Sequence, residues 1–132
     1  MSEDYQSAAL RHLTDAEILA TSSCWGGAGH LVGLAAECAI KHRIESLRPA
    51  QRAPHAHFPE IIEAAKKHIE RRRDFALNTL LKLPNLMAGW MISLRYESDD
   101  AVGQIEYELW HQHTIRLVHA AGLRRQTGEP RS

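Results

Sequence analysis

With 132 residues, 44% of them hydrophobic and 24% charged, the chain has the size and composition of one globular domain that buries a core without staples. Sixteen basic side chains offset 16 acidic ones, so net charge alone says little about partners. Two cysteines, Cys24 and Cys38, exclude a disulfide framework and lack metal-ligand spacing, and Cys38 reads as a small buried hydrophobe. No apolar run approaches the roughly 20 residues that span a bilayer, and the polar, acidic residues 1–10 do not resemble a secretory signal. A cytoplasmic protein with no membrane contact is expected.

The charge is unevenly spread. Residues 41–73 carry nine basic against four acidic side chains, whereas residues 1–40 carry one against five. Few aromatic residues and many Ala and Leu favour helix over sheet.

Residues 1–6 are expected to be flexible, and a folded domain to occupy 7–121. Leu10, Leu13, Ala16 and Ala20 follow a 3–4 spacing that predicts an amphipathic helix from Ser7 to Thr21. Ser22, Ser23 and the glycines Gly26 and Gly27 break it, and a short connection predicts an antiparallel second helix ending at Leu47, before Pro49. Three prolines make 48–59 a loop, after which Pro59 and Glu60 start a helix reaching about Lys82, its stripe interrupted at Arg72 and Arg73. Leu86–Tyr96 is either a docked loop or one short element. Ser98-Asp99-Asp100 is a helix-start signal for a last helix running to Ala121, with Gly122 as its cap and 122–132 as a polar tail. The expected fold is all-α, an up-and-down bundle of four main helices.

The stretch His30-Leu31-Val32-Gly33-Leu34-Ala35-Ala36-Glu37-Cys38-Ala39-Ile40-Lys41 has four Ala or Gly in twelve positions, which lets neighbouring helices approach closely and suits a central helix. It resembles the second helix of HEPN-domain proteins (higher eukaryotes and prokaryotes nucleotide-binding). Asp15-Ala16 in the preceding helix, His57-Phe58-Pro59-Glu60, and Trp90 with Arg95-Tyr96 are compatible with the same family, over roughly residues 7–121. The resemblance implies a small helical bundle, often dimeric, in a family of metal-independent ribonucleases and non-catalytic members, many of the former acting as toxins or in phage defence.

Activity in that family goes with Arg, four to six residues, then His on the last helix: a guanidinium for phosphate charge and an imidazole for proton transfer. This chain departs from the pattern. Its last helix holds Arg116 and His119 with two residues between, a spacing that still puts both on one face. Arg48 with His55 and Arg52 with His57 match the literal spacing but lie in the proline-rich loop.

Among other candidates, an acid amid alanines must find a partner if buried, and Glu37 has Lys41 at the helix rim or Arg95 near Trp90. Lys66, Lys67, Arg71, Arg72 and Arg73 form either a nucleic-acid surface or a solvated helix face partly neutralised by Glu63, Glu70 and Asp74. His111 and His113 point apart on a helix, no ligand set follows from spacing, and neither a metal nor a cofactor is expected. Tyr107 and Trp110 read as core or dimer seam. Ile115, Leu117, Val118, Ala120 and Ala121 cover more of the last helix than one packed side requires, which predicts a homodimer. Two functions follow: a HEPN-like domain that dimerises and binds or processes RNA or nucleotide, or a non-catalytic assembly subunit that meets a protein partner through the last helix.

Overall fold

Helix α1 (Tyr5–Thr21) begins where the Asp4 carboxylate accepts the Ser7 N–H at 3.0 Å, satisfying a donor that every helix start leaves open. The computed structural model describes residues 4–47, 52–69, 74–97 and 101–125. A three-residue turn, with Ser23 in the left-handed region at φ 57°, leads into α2 (Trp25–Leu47). Then come α3 (Glu60–His68), α4 (Phe75–Leu81), a 3-10 helix (Ile92–Tyr96) and α5 (Gln104–Ala120). The described residues contain no strand, and none of their helices is long and apolar enough to cross a membrane.

Helix α2 is the centre. It packs against α1 and α5 most extensively, and the 3-10 helix also lies on it. Eleven of its 23 residues are buried, so its apolar surface wraps more than one side. Its small residues carry the closest approaches. A Cβ on Gly33 would fall 1.8 Å from Cε2 of Trp90, and one on Gly29 would fall 2.9 Å from Val102 and 3.1 Å from Trp110. Trp90 is fully buried in that notch and donates its indole N–H to the Gly29 carbonyl at 2.8 Å. Phe58 meets the Trp90 ring edge-on at 6.1 Å, and His30 stacks on it at 6.2 Å.

Helix α5 is bound to α2 by Leu117 and Val118 in the core and by the buried Thr114 hydroxyl, which donates to the Val32 carbonyl at 3.1 Å. Trp110 donates to the Ala88 carbonyl at 2.9 Å. The neutral ring of His113 accepts the Met87 N–H through Nδ1 at 3.0 Å, holding a turn in which Met87 has φ 52°. Burial, with Arg116 nearby, keeps His113 below its ordinary pKa and so in that accepting form. Tyr107 and Trp110 are therefore core residues.

Several boundaries differ from the sequence expectation. The predicted helix from Glu60 to Lys82 is two helices. Backbone at Ile69 is extended, residues 70–73 lie outside the described ones, and Asp74 starts α4 afresh by accepting the Leu77 N–H at 3.1 Å. The last helix starts at Gln104 and not Asp100: Gly103 is the N-cap, and Glu106 reaches back to its N–H at 3.0 Å. Ser98, Asp99 and Asp100 lie outside the described residues. Helix α1 already includes Tyr5 and Gln6, and Leu123 beyond Gly122 is buried, so ordered structure extends outside 7–121 at both ends. Cys38 is half-buried and Cys24 exposed.

Gly33→Ala places a methyl inside the Trp90 ring volume, so it should destabilise the fold by about 3 kcal/mol or more, at the upper end of overpacking costs. Gly27→Ala, whose new methyl meets only the tip of Leu19, should change stability by under about 1 kcal/mol. Denaturant midpoints of both variants against the parent check the contrast.

Candidate functional site

Helix α4 is only seven residues long and would be marginal alone; polar contacts fix its start. The Asp74 carboxylate that caps it is buried and also accepts from Nε of Arg43 on α2 at 2.7 Å. Leu77, Leu80 and Leu81 then face the core, which turns Phe75, Ala76 and Thr79 outward. On α5 the inward face runs through Tyr107, Trp110, Thr114, Leu117 and Val118. Arg116 and His119 consequently emerge on the outer face, one helical turn apart.

The two outer faces meet in a groove of about 480 Å³ between α4 and α5. Its walls are Phe75, Ala76, Thr79 and Leu80 from α4, and Arg116, His119 and Ala120 from α5. Phe75 is 69% exposed, uncommon for a phenyl ring with a core beside it. Neither Arg116 nor His119 makes a hydrogen bond or ion pair with any described residue, so both polar groups are open to a ligand. The groove thus offers a delocalised cation, an imidazole and an aromatic face within one opening.

The proline-rich loop is docked elsewhere. Glu37 is 2% exposed, and its carboxylate meets Nδ1 of His57 and the backbone N–H of Phe58, each at 2.8 Å. Among the described residues its direct partners are therefore His57 and Phe58, neither of which was expected from the sequence. Lys41 stands one turn further on with its ammonium 5.7 Å from the Tyr5 ring centre, and the side chain of Arg95 lies outside the described residues. The loop folds back on α2 and brings two donors to the carboxylate, which no helical spacing could reveal. Burial pushes the Glu37 pKa up, against the opposing pull of His57, the Phe58 N–H and Lys41. Glu45 takes the Ala53 N–H at 2.9 Å and pins the start of the same loop. Arg52 and His55 are exposed, Arg48 lies outside the described residues, and Arg52, His55 and His57 do not line the α4–α5 groove.

The basic block is only partly described. Lys66 lies 3.3 Å from Glu63 and Lys67 is exposed on α3, while Arg71, Arg72 and Arg73 lie outside the described residues. His111 and His113 take different partners, as their spacing requires: His111 meets Glu17 at 2.7 Å and His113 meets Met87. Among the described residues no three His, Cys, Asp or Glu side chains converge as a metal site. Two contributors were not among the site residues read from the sequence. Asp74 carried a readable signal, an N-cap acid just before an apolar run; Phe75 carried none, since its exposure follows from where α4 begins.

Folded Glu37 keeps its proton at pH values where the unfolded carboxyl has already lost it. Stability should therefore fall as pH rises from about 4.5 through the raised value, and Glu37→Gln should show a shallower fall over that interval. Urea unfolding of both proteins across a pH series reads the difference in slope.

No protein-family model, curated protein or solved structure matches the chain.

Proposed function

We propose that this chain is a HEPN-like helical domain that dimerises and binds single-stranded RNA in the α4–α5 groove. The observation that carries the reading is the grouping of exposed Phe75, Arg116 and His119 in one opening with no partner among the described residues. Single strands are held by stacking of unpaired bases on aromatic faces together with cationic contacts to phosphate. Phe75 supplies the face, and the Arg116 guanidinium supplies a fork matched to phosphate oxygens. His119 stands where it can donate to a bound phosphate. It can also take the proton of the neighbouring 2′-hydroxyl as that oxygen attacks the phosphorus and the bond to the next nucleotide's 5′-oxygen breaks. The 5′-oxygen leaves with a proton from water, a 2′,3′-cyclic phosphate remains, and no metal is needed.

The dimer is supported by the same outer face of α5. Ile105 is 80% exposed and Leu109 also stands open to solvent, about 16 Å and about 10 Å along the helix from Arg116. A two-fold contact at Ile105 and Leu109 would cover this apolar end and leave both grooves free. Leu117, Val118 and Ala121, expected to need a partner, are instead buried within the chain, so the case rests on Ile105 and Leu109. The same two residues favour the assembly reading, in which the face receives a different protein.

Fluorescence anisotropy with labelled oligouridine at low ionic strength should show salt-sensitive binding. Phe75→Ala and Arg116→Ala should each weaken it by about tenfold. Sedimentation should give a dimer that Leu109→Asp dissociates. Absence of any salt-sensitive binding would leave only the assembly reading. RNA cleavage lost in both Arg116→Ala and His119→Ala would add nuclease activity to binding.

A further inference from the structure

His119 walls two recesses. Besides the α4–α5 groove it lines a second recess of about 630 Å³ on the other side of α5, whose apolar floor is Leu13, Ile115 and Val118 and whose rim carries Arg124 and Arg125. The rim is built by the chain itself. Helix α5 ends with the Gly122 N–H on the His119 carbonyl at 3.0 Å and the Leu123 N–H on the Val118 carbonyl at 3.1 Å, the paired bonds of a Schellman ending. Gly122 has φ 78°, which permits the reversal, and the buried Leu123 fastens it. Both terminal guanidinium nitrogens of Arg125 bind the Glu17 carboxylate on α1, and the Nη2 contact is 3.0 Å. The Arg125 and His111 contacts outweigh the burial that would raise the Glu17 pKa, so Glu17 is held below its ordinary value and the clamp stays charged. Arg125 is therefore neutralised, whereas Arg124 is exposed and bonds no described residue.

Resting on the RNA reading of the α4–α5 groove, we infer that the ligand occupies both recesses: one nucleotide stacks at Phe75, the next lies over Leu13, Ile115 and Val118, and the linking phosphate sits at the His119 ridge. Arg124 supplies the positive charge that the second recess needs for this phosphate, since Arg125 is already spent on Glu17. The apolar floor and cationic rim match a nucleotide, which presents a flat base beside an anion. The recognised unit is thus a step of two nucleotides.

The test compares uridine 5′-monophosphate with the 5′-phosphorylated dinucleotide pUpU, titrated into the full chain. The parent should bind pUpU about tenfold more tightly than the monophosphate, and Arg124→Ala should cancel that advantage by weakening pUpU about tenfold and the monophosphate far less. Lys67→Ala on α3 should alter neither, which separates a built subsite from general positive charge. Equal affinity for the two ligands, or an equal loss for both in Arg124→Ala, would overturn the second recess while the Phe75 groove stands. Failure of both ligands to bind, with oligouridine also unbound, would remove the groove and the inference together. Arg124 is exposed, and an unchanged thermal midpoint in the variant confirms that the fold is intact.

Discussion

The indole of Trp90 occupies the space that a side chain at position 33 would fill, and much of the non-helical chain hangs from that contact. Close-packed interiors transmit such constraints because a misplaced methyl has nowhere to go. Trp90 fixes the segment after α4 on α2, takes the Phe58 ring of the proline-rich loop on its edge, and bonds the Gly29 carbonyl. Beside it, Gly29 admits Val102 and Trp110 and so sets how closely α5 lies on α2. The direction in which Arg116 and His119 leave α5 follows from that seating.

Around this apolar notch, a few polar contacts hold the pieces whose own helical stability is small. Asp74 joins the start of α4 to Arg43, Glu37 gathers the loop through His57 and Phe58, His113 holds the Met87 turn, and Glu17 receives His111 and Arg125. Buried polar groups are costly unless partners meet them, so the contacts of Asp74, Glu37 and His113 each specify one arrangement of their segment. Two of the four set the walls of the candidate site, since Asp74 positions Phe75 and Glu17 positions the residues beside Arg124.

The centre of the fold was legible because it is a local property. Small residues at helical spacing between His30 and Lys41 announce a helix approached closely from more than one side, and α2 is that helix. The spacing of Arg116 and His119 likewise places both on one face whatever they bind. The partner of Glu37 was not legible, since His57 is 20 positions away across a loop with no periodicity. The division of the third predicted helix was half visible: the apolar stripe failed at Arg72 and Arg73, but the Asp74 cap that restarts the helix depends on Arg43, 31 positions earlier. The exposed Phe75 and the Schellman wall at Gly122 become meaningful only once α4 and α1 stand beside α5.

A photo-cross-link reports most directly whether the outer face of α4 and α5 is where RNA lies. Oligouridine carrying 4-thiouridine, irradiated with the intact protein and followed by peptide mass mapping, should leave adducts on the peptides that hold Phe75 and the Arg116 to Arg124 segment. Adducts confined to Lys66 and Lys67 on α3, or to the loop around His55, would contradict it and place the nucleic-acid surface on the basic side of the molecule.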